Sequence, residues 1–215
     1  MSDAVSAAGA ASAAHPAAGG GAIAHDDHHY TSTGQNSRKI LFWTFLGSEC
    51  MFFGSLIATY LVYRGKDKVG PTPHEILNIP LTSVSAFVLL MSSLTMVLAL
   101  AGIQRRNMTQ ARIWLAATAS LGMGFVGFQI YEFSHFYHEG LALTTNLFAC
   151  TFYVLTGFHG THVSVGVIWL WTLFFLTFTG RIGPANDLDV EICGLYWHFV
   201  DVVWIAIFTL IYLIQ

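Results

Sequence analysis

Apolar residues run in five long stretches separated by short polar segments, at 41–63, 81–103, 113–136, 146–178 and 192–214. Each is at least as long as the roughly 20 residues a helix needs to cross a bilayer core about 30 Å thick. The fourth exceeds that length, so it is expected to tilt or to project past the membrane. None alternates polar and apolar positions as a barrel strand would. Backbone groups in lipid must find partners within their own segment, so all five stretches are expected to be helices. The pattern therefore predicts an all-α, polytopic membrane protein, with five transmembrane helices forming one bundle over residues 38–215.

Composition agrees with that reading. With 54% hydrophobic and 10% charged residues and a mean hydropathy of +0.59, the chain is far more apolar than a soluble domain. Its 17 Phe, 8 Tyr and 6 Trp cluster in or beside the apolar stretches, which argues against a soluble helical bundle. The nine basic residues are scattered and form no stripe, so no nucleic-acid partner is implied.

Residues 1–37 are rich in Ala and Gly and then polar, without a basic start followed by a hydrophobic run, and are expected to be a disordered tail rather than a signal peptide. His25, Asp26, Asp27, His28 and His29 within it could chelate a metal, but a short tract in a flexible tail binds weakly. Cys50, Cys150 and Cys193 have no metal-ligand spacing and read as free, inert thiols of the core.

Lys and Arg beside membrane spans favour the cytoplasmic side. Arg38, Lys39, Arg105, Arg106, Arg112 and Arg181 fall on one side of the predicted bundle, and Arg64, Lys66 and Lys68 on the other. That places the N-terminus inside and the C-terminus outside. Helices in lipid pack closely where small residues recur at one-turn spacing. Ala116, Ser120 and Gly124 are the expected packing face of the third span, and Gly157 and Gly160 thin the fourth.

Charged groups inside a bilayer are costly, at least about 2.5 to 3.5 kcal/mol at the centre on insertion scales. Three acids therefore stand out: Glu49 in the first span, Glu132 near the outer end of the third and Asp201 in the fifth. No Lys or Arg lies within a span to pair with them. Three histidines accompany them. His159 and His162 share one face of the fourth span, and His198 precedes Asp201 by three on the fifth, so each pair can act as a unit.

Two histidines on one helix and a third from a neighbour could ligate a metal. They could equally form an interhelical polar cluster of His159, His162, His198 and Asp201, with Asp201 fixing the tautomer of His198. On spacing alone these readings stand level. Glu49 reads as a proton-exchanging carboxyl or as a protonated acid donating one interhelical hydrogen bond, with the second favoured. Glu132, near Tyr131, His135 and Tyr137, reads as a structural acid of the interfacial belt, within reach of water.

Two blocks, Thr156-Gly-Phe-His-Gly-Thr-His-Val163 and Tyr196-Trp-His-Phe-Val-Asp-Val-Val-Trp204, resemble subunit III of haem-copper terminal oxidases. Glu191, and Ser48-Glu49 followed by Phe52-Phe53-Gly54, also fall where that family's pattern has them. The resemblance covers roughly residues 38–215. It implies a non-redox subunit of a bacterial inner-membrane respiratory complex, beside a subunit I that reduces oxygen at a haem-copper centre while pumping protons. Subunits II and IV are the other implied partners.

Such a subunit steadies subunit I, supports its proton uptake, binds phospholipid and carries no haem, copper or other metal itself. Glu49 then matches the family's buried, carbodiimide-reactive carboxyl, and the histidines match positions in packed polar clusters. Many members have seven spans, and this chain matches the five-span form, so another chain is expected to close the lipid cleft or leave it open.

Within the same fold, a quinol oxidase subunit or the relative that accompanies some nitric oxide reductases is the alternative. From other classes, an autonomous proton-coupled transporter would use Glu49 and Asp201 as relay carboxyls, and a membrane metalloenzyme would use His159, His162 and His198. The lack of an internal repeat argues against the transporter.

Overall fold

The computed structural model describes residues 36–64, 79–138, 140, 147–182 and 187–214. The tail up to residue 35, with His25, Asp26, Asp27, His28 and His29, and the cations Lys66 and Lys68 lie outside the described residues. The described residues form five helices: α1 (Ser37–Tyr63), α2 (Ile79–Gln104), α3 (Met108–His138), α4 (Leu147–Leu176) and α5 (Leu188–Phe208), the last continuing into one π-helical turn, Thr209–Leu213. All five are long and apolar enough to cross a membrane, and the described residues contain no strand. The expected all-α, five-span class is the class observed.

The first three helices begin ahead of the apolar stretches because their starting signals are polar. The side chain of Asn36 accepts from the Arg38 N–H at 3.0 Å at the start of α1, and Asn107 accepts from the Gln110 N–H at 3.2 Å at the start of α3, both N-cap bonds. Pro80 sits in the first turn of α2, where its missing N–H costs nothing. Between α2 and α3 the turn is very tight. Arg106 takes a left-handed conformation, φ 59°, and the Asn107 N–H bonds back to Gly102 O at 2.9 Å, which closes the end of α2. A β-carbon on Gly102 would lie 3.0 Å from the Ala111 nitrogen, so the hairpin depends on that missing side chain.

Helix α5 is the hub. It packs on α1, α2 and α4, and its Trp197 and Trp204 rings reach Gly122 and Phe125 of α3. Half of its most apolar window is buried, against 11% for α1. Helix α1 is thus peripheral, lying across α4 and α5 with most of its surface turned outward.

The starts of α1, α3 and α5 and the ends of α2 and α4 share one end of the bundle. Lys39 of α1 pairs with Glu191 of α5 at 2.5 Å, and Arg38 with Asp189 at 3.5 Å. Arg112 of α3 donates to the Thr177 carbonyl beyond α4 at 2.8 Å and lies over the Phe178 ring. At the other end the Arg64 guanidinium donates to the Ile214 carbonyl.

The expected packing face of α3 is corrected. Ser120 and Gly124 are exposed, Ala116 is half-buried, and nothing lies within 4 Å of a β-carbon placed on Gly124. The buried face runs instead through Leu115, Ala119, Gly122, Phe125 and Gln129. Its close approach is at Gly122, where a β-carbon would meet Trp197 at 2.5 Å. Of the α4 glycines, Gly160 is crowded by Gln129 and Gly157 faces open space. Among the thiols only Cys193 is a core residue, for Cys50 is exposed and Cys150 half-buried, although all three are free.

Candidate functional site

The polar residues of the bundle interior form separate interhelical sites, and their helix positions decide which partners each can reach. Glu49 projects from the middle of α1 toward α4, where its Oε2 lies 3.1 Å from His162 Nε2. His162 Nδ1 lies 2.7 Å from the Phe158 carbonyl one turn back. A carbonyl only accepts, so Nδ1 carries a hydrogen. A single proton then sits between Nε2 and Oε2, either as carboxylic acid donating to neutral imidazole or as imidazolium donating to carboxylate. In both forms one proton is shared between the two side chains.

Surrounding groups fix this pair without closing it off. The Phe53 ring packs edge-on against His162 at 5.0 Å, and Tyr196 of α5 donates its hydroxyl to the His162 carbonyl at 3.0 Å. The two side chains remain 19% and 18% exposed. Beside them an apolar groove of about 570 Å³ opens between α1 and α4, lined by Phe42, Phe45, His162, Val165, Trp169 and Tyr196 among others.

Glu132 is more deeply buried than its place near the interfacial belt suggests. It is 8% exposed, and its Oε1 accepts from Thr82 of α2 at 2.7 Å and from the Tyr212 hydroxyl at 3.1 Å. The π-helical turn after α5 carries Tyr212. This acid ties α2, α3 and the end of α5 together. Tyr131, His135 and Tyr137 are exposed as expected. With Leu81, Gly124 and Gly127, the first two of them line an outward groove of about 620 Å³ that reaches Glu132.

His198 and Asp201 also differ from expectation. His198 Nδ1 lies 3.2 Å from Ser93 Oγ on α2, and Asp201 lies near the same serine. Asp201 Oδ1 is buried without a hydrogen-bond partner. Ser93 thus stands beside both of the groups that spacing alone would join directly. Next to it Trp197 Nε1 donates to Ser92 at 3.0 Å.

His159 is fully buried, with neither ring nitrogen hydrogen-bonded, and stacks on Trp204 at 4.9 Å. The four residues expected to form one cluster are therefore dispersed: His162 faces α1, His198 and Asp201 face α2, and His159 lies in the aromatic core. The three imidazoles do not converge on a point, and the described residues contain no group of three or more His, Cys, Asp or Glu side chains that could hold a metal ion. Glu191 belongs to the ion pairs at the end of the bundle.

Thr82, Ser93, Gln129 and Tyr212 are functional neighbours that no sequence signal used above identifies. The cost of an unpaired polar group in lipid could have flagged Thr82, Ser93 and Gln129 as it did the acids. Nothing local marks Tyr212.

Residues 24–215 match the family model described as cytochrome c oxidase subunit III. The chain is 40% identical over 183 residues to cytochrome c oxidase subunit 3 of Bacillus sp. (strain PS3), covering 85% of this chain and 88% of that one. It is 41% identical over 172 residues to quinol oxidase subunit 3 of Bacillus subtilis (strain 168), covering 80% and 84%. To cytochrome c oxidase subunit 3 of the same organism it is 39% identical over 173 residues, with the same coverage.

Proposed function

The chain belongs to the cytochrome c oxidase subunit III family, and we propose that it is a non-redox subunit of a proton-pumping cytochrome c oxidase. In that role it steadies the haem- and copper-bearing subunit I and supports proton uptake into it, alongside subunits II and IV. The observation that best supports this reading is the pair Glu49–His162. It shares one proton between its two side chains, on the least buried helix of the bundle, so that a neighbouring chain covering α1 would meet a proton-exchanging group at its surface. The two outward grooves suit phospholipid acyl chains. The six cations at the end of the bundle where α1 starts would face the cytoplasm by the positive-inside rule.

Purification from native membranes in mild detergent tests the reading. The chain should copurify with a much larger haem-bearing subunit, and the complex should consume oxygen with reduced cytochrome c. Glu49→Gln should assemble normally, because the amide keeps shape and hydrogen bonding, and then lose activity faster than wild type during sustained turnover. A chain that purifies alone, or transports protons in vesicles by itself, would overturn the proposal. Because relatives named for quinol oxidases are equally similar, a quinol oxidase subunit III is the second reading. Oxidation of a quinol in place of cytochrome c by the purified complex would select it.

A further inference from the structure

The groove that reaches Glu132, about 620 Å³ in volume, has a polarity that changes along its length. Gly124, Gly127, Tyr131 and His135 follow one another along a single exposed ridge of α3, at spacings that keep one helix face. Phe128, Glu132 and Phe136 stand on the ridge beside it. Nothing lies within 4 Å of a β-carbon placed on Gly124 or Gly127, so the apolar end is open. The other end gathers a phenol, a carboxyl group and an imidazole. Small-molecule sites of roughly 300–1,000 Å³ are built this way, mostly apolar with a few placed polar groups.

Depth sets which way a ligand would lie. At 1.5 Å of rise per residue, Glu132 is about 30 Å along α3 from Arg112, which is about the thickness of a bilayer core. The polar end is therefore at the hydrocarbon boundary opposite Arg112, and Gly124 is about 12 Å deeper. A molecule seated here keeps its head at Tyr131 and His135 and runs its tail over the glycines. Any acyl or prenyl chain satisfies the apolar end, but the head is more constrained. Among the described residues lining the groove there is no Lys or Arg, and a carboxyl group stands where a phospholipid would set its phosphate, a group that cations hold. The rings of Tyr131 and His135 lie 6.4 Å apart. Each side chain can both donate and accept, so together they suit a neutral head bearing hydroxyls or carbonyls. Phe128, Tyr131 and Phe136 add rings against which a flat, aromatic head packs.

We infer that this groove binds a lipid-soluble quinol or its quinone, with the ring at Tyr131 and His135 and the tail along Gly127 and Gly124. The reduced ring donates a hydroxyl to the imidazole, and the oxidised ring accepts from the Tyr131 hydroxyl or the imidazole N–H. The same two side chains thus hold both oxidation states. The site stands on this chain's residues alone; only its use within an oxidase rests on the function proposed above.

Photolabelling of the complex purified through this chain tests it, with an arylazido quinone carrying a decyl tail as the probe. The expected adduct lies in the α3 peptide that carries Tyr131 and His135. A large excess of unmodified decyl-quinol should suppress it, and the same excess of phosphatidylglycerol should not. Gly127→Leu should lower the yield at least tenfold, because the new side chain fills the groove while meeting nothing within 4 Å in this chain. His135→Leu, at an exposed position, should lower it severalfold. Gly157→Leu, the same change at an open glycine of α4, should leave it unaltered.

Label spread over the lipid-facing helices would overturn the inference, as would equal suppression by phosphatidylglycerol or a yield that Gly127→Leu or His135→Leu leaves unchanged. Copurification of a haem-bearing subunit would leave the functional reading standing in those cases. A Gly127-sensitive adduct on a chain that purifies alone would support the site and overturn the functional reading instead.

Discussion

Glu132 shows what a buried acid does at the scale of one residue, because both of its hydrogen-bond donors come from other helices. Glu132→Leu would remove the carboxylate that accepts from both Thr82 and Tyr212, and losing a buried hydrogen bond of this kind costs about 1–3 kcal/mol. Glu132→Gln retains an accepting oxygen and should lose less than about 1 kcal/mol. Thermal unfolding midpoints of the two purified variants check this, and equal losses would show that the carboxylate geometry matters more than satisfaction of the hydroxyls. Ser93 poses a similar question. If it bridges His198 and Asp201, Ser93→Ala and Asp201→Ala should each destabilise by about 1–3 kcal/mol, and the double variant by much less than the sum, since neighbours sharing one network do not add. Strict additivity would break the bridge. The acids themselves were legible in the sequence, because a carboxyl in an apolar stretch is conspicuous. Their partners were not. Glu49 and His162 are 113 residues apart, and a one-dimensional pattern does not say which helix faces which.

At the scale of the element, length was far more legible than orientation. Bilayer thickness sets a minimum run of apolar residues, so all five helices lie within a few residues of the expected stretches. Which face of each is buried was hidden, because these helices are apolar all round and carry no amphipathic stripe to read. Small-residue spacing was the remaining guide on α3, and it pointed to Ala116, Ser120 and Gly124 while the close contact is at Gly122. The two glycines lie only two positions apart and make opposite predictions. Gly122→Ala places a methyl 2.5 Å from Trp197 and 2.9 Å from Val167, overpacking that should cost about 1–3 kcal/mol. Gly124→Ala meets nothing and should be neutral or stabilise by up to about 1 kcal/mol through helix propensity. Unfolding of both variants in the same detergent decides the point, and a Gly124→Ala protein destabilised as much as Gly122→Ala would mean that α3 packs on a different face.

For the whole molecule, the uneven burial of the helices implies uneven stability. Helix α5 is enclosed by its neighbours, whereas α1 is fastened along one side: by Lys39–Glu191 at one end, Glu49–His162 near its middle, and edge-on or tilted rings such as Phe42–Trp169 and Tyr60–Phe148. The end pair is about one-third exposed on both sides, and pairs of that kind contribute at most about 1 kcal/mol and weaken with salt. Local opening should therefore begin at α1, since regions with few buried contacts open below the global unfolding free energy. In hydrogen exchange on the purified chain in detergent, amides of α1 are expected to exchange well before those of α5, and raised salt should accelerate the first turns of α1 without affecting the buried middle of α5. In the assembled complex the difference should shrink if a partner covers the outward face of α1, which is where the proposed proton-exchanging pair would meet it. Equal protection of α1 and α5 in the isolated chain would show that the fasteners on α1 are much stronger than their exposure suggests, and that α1 needs no partner to hold it in place.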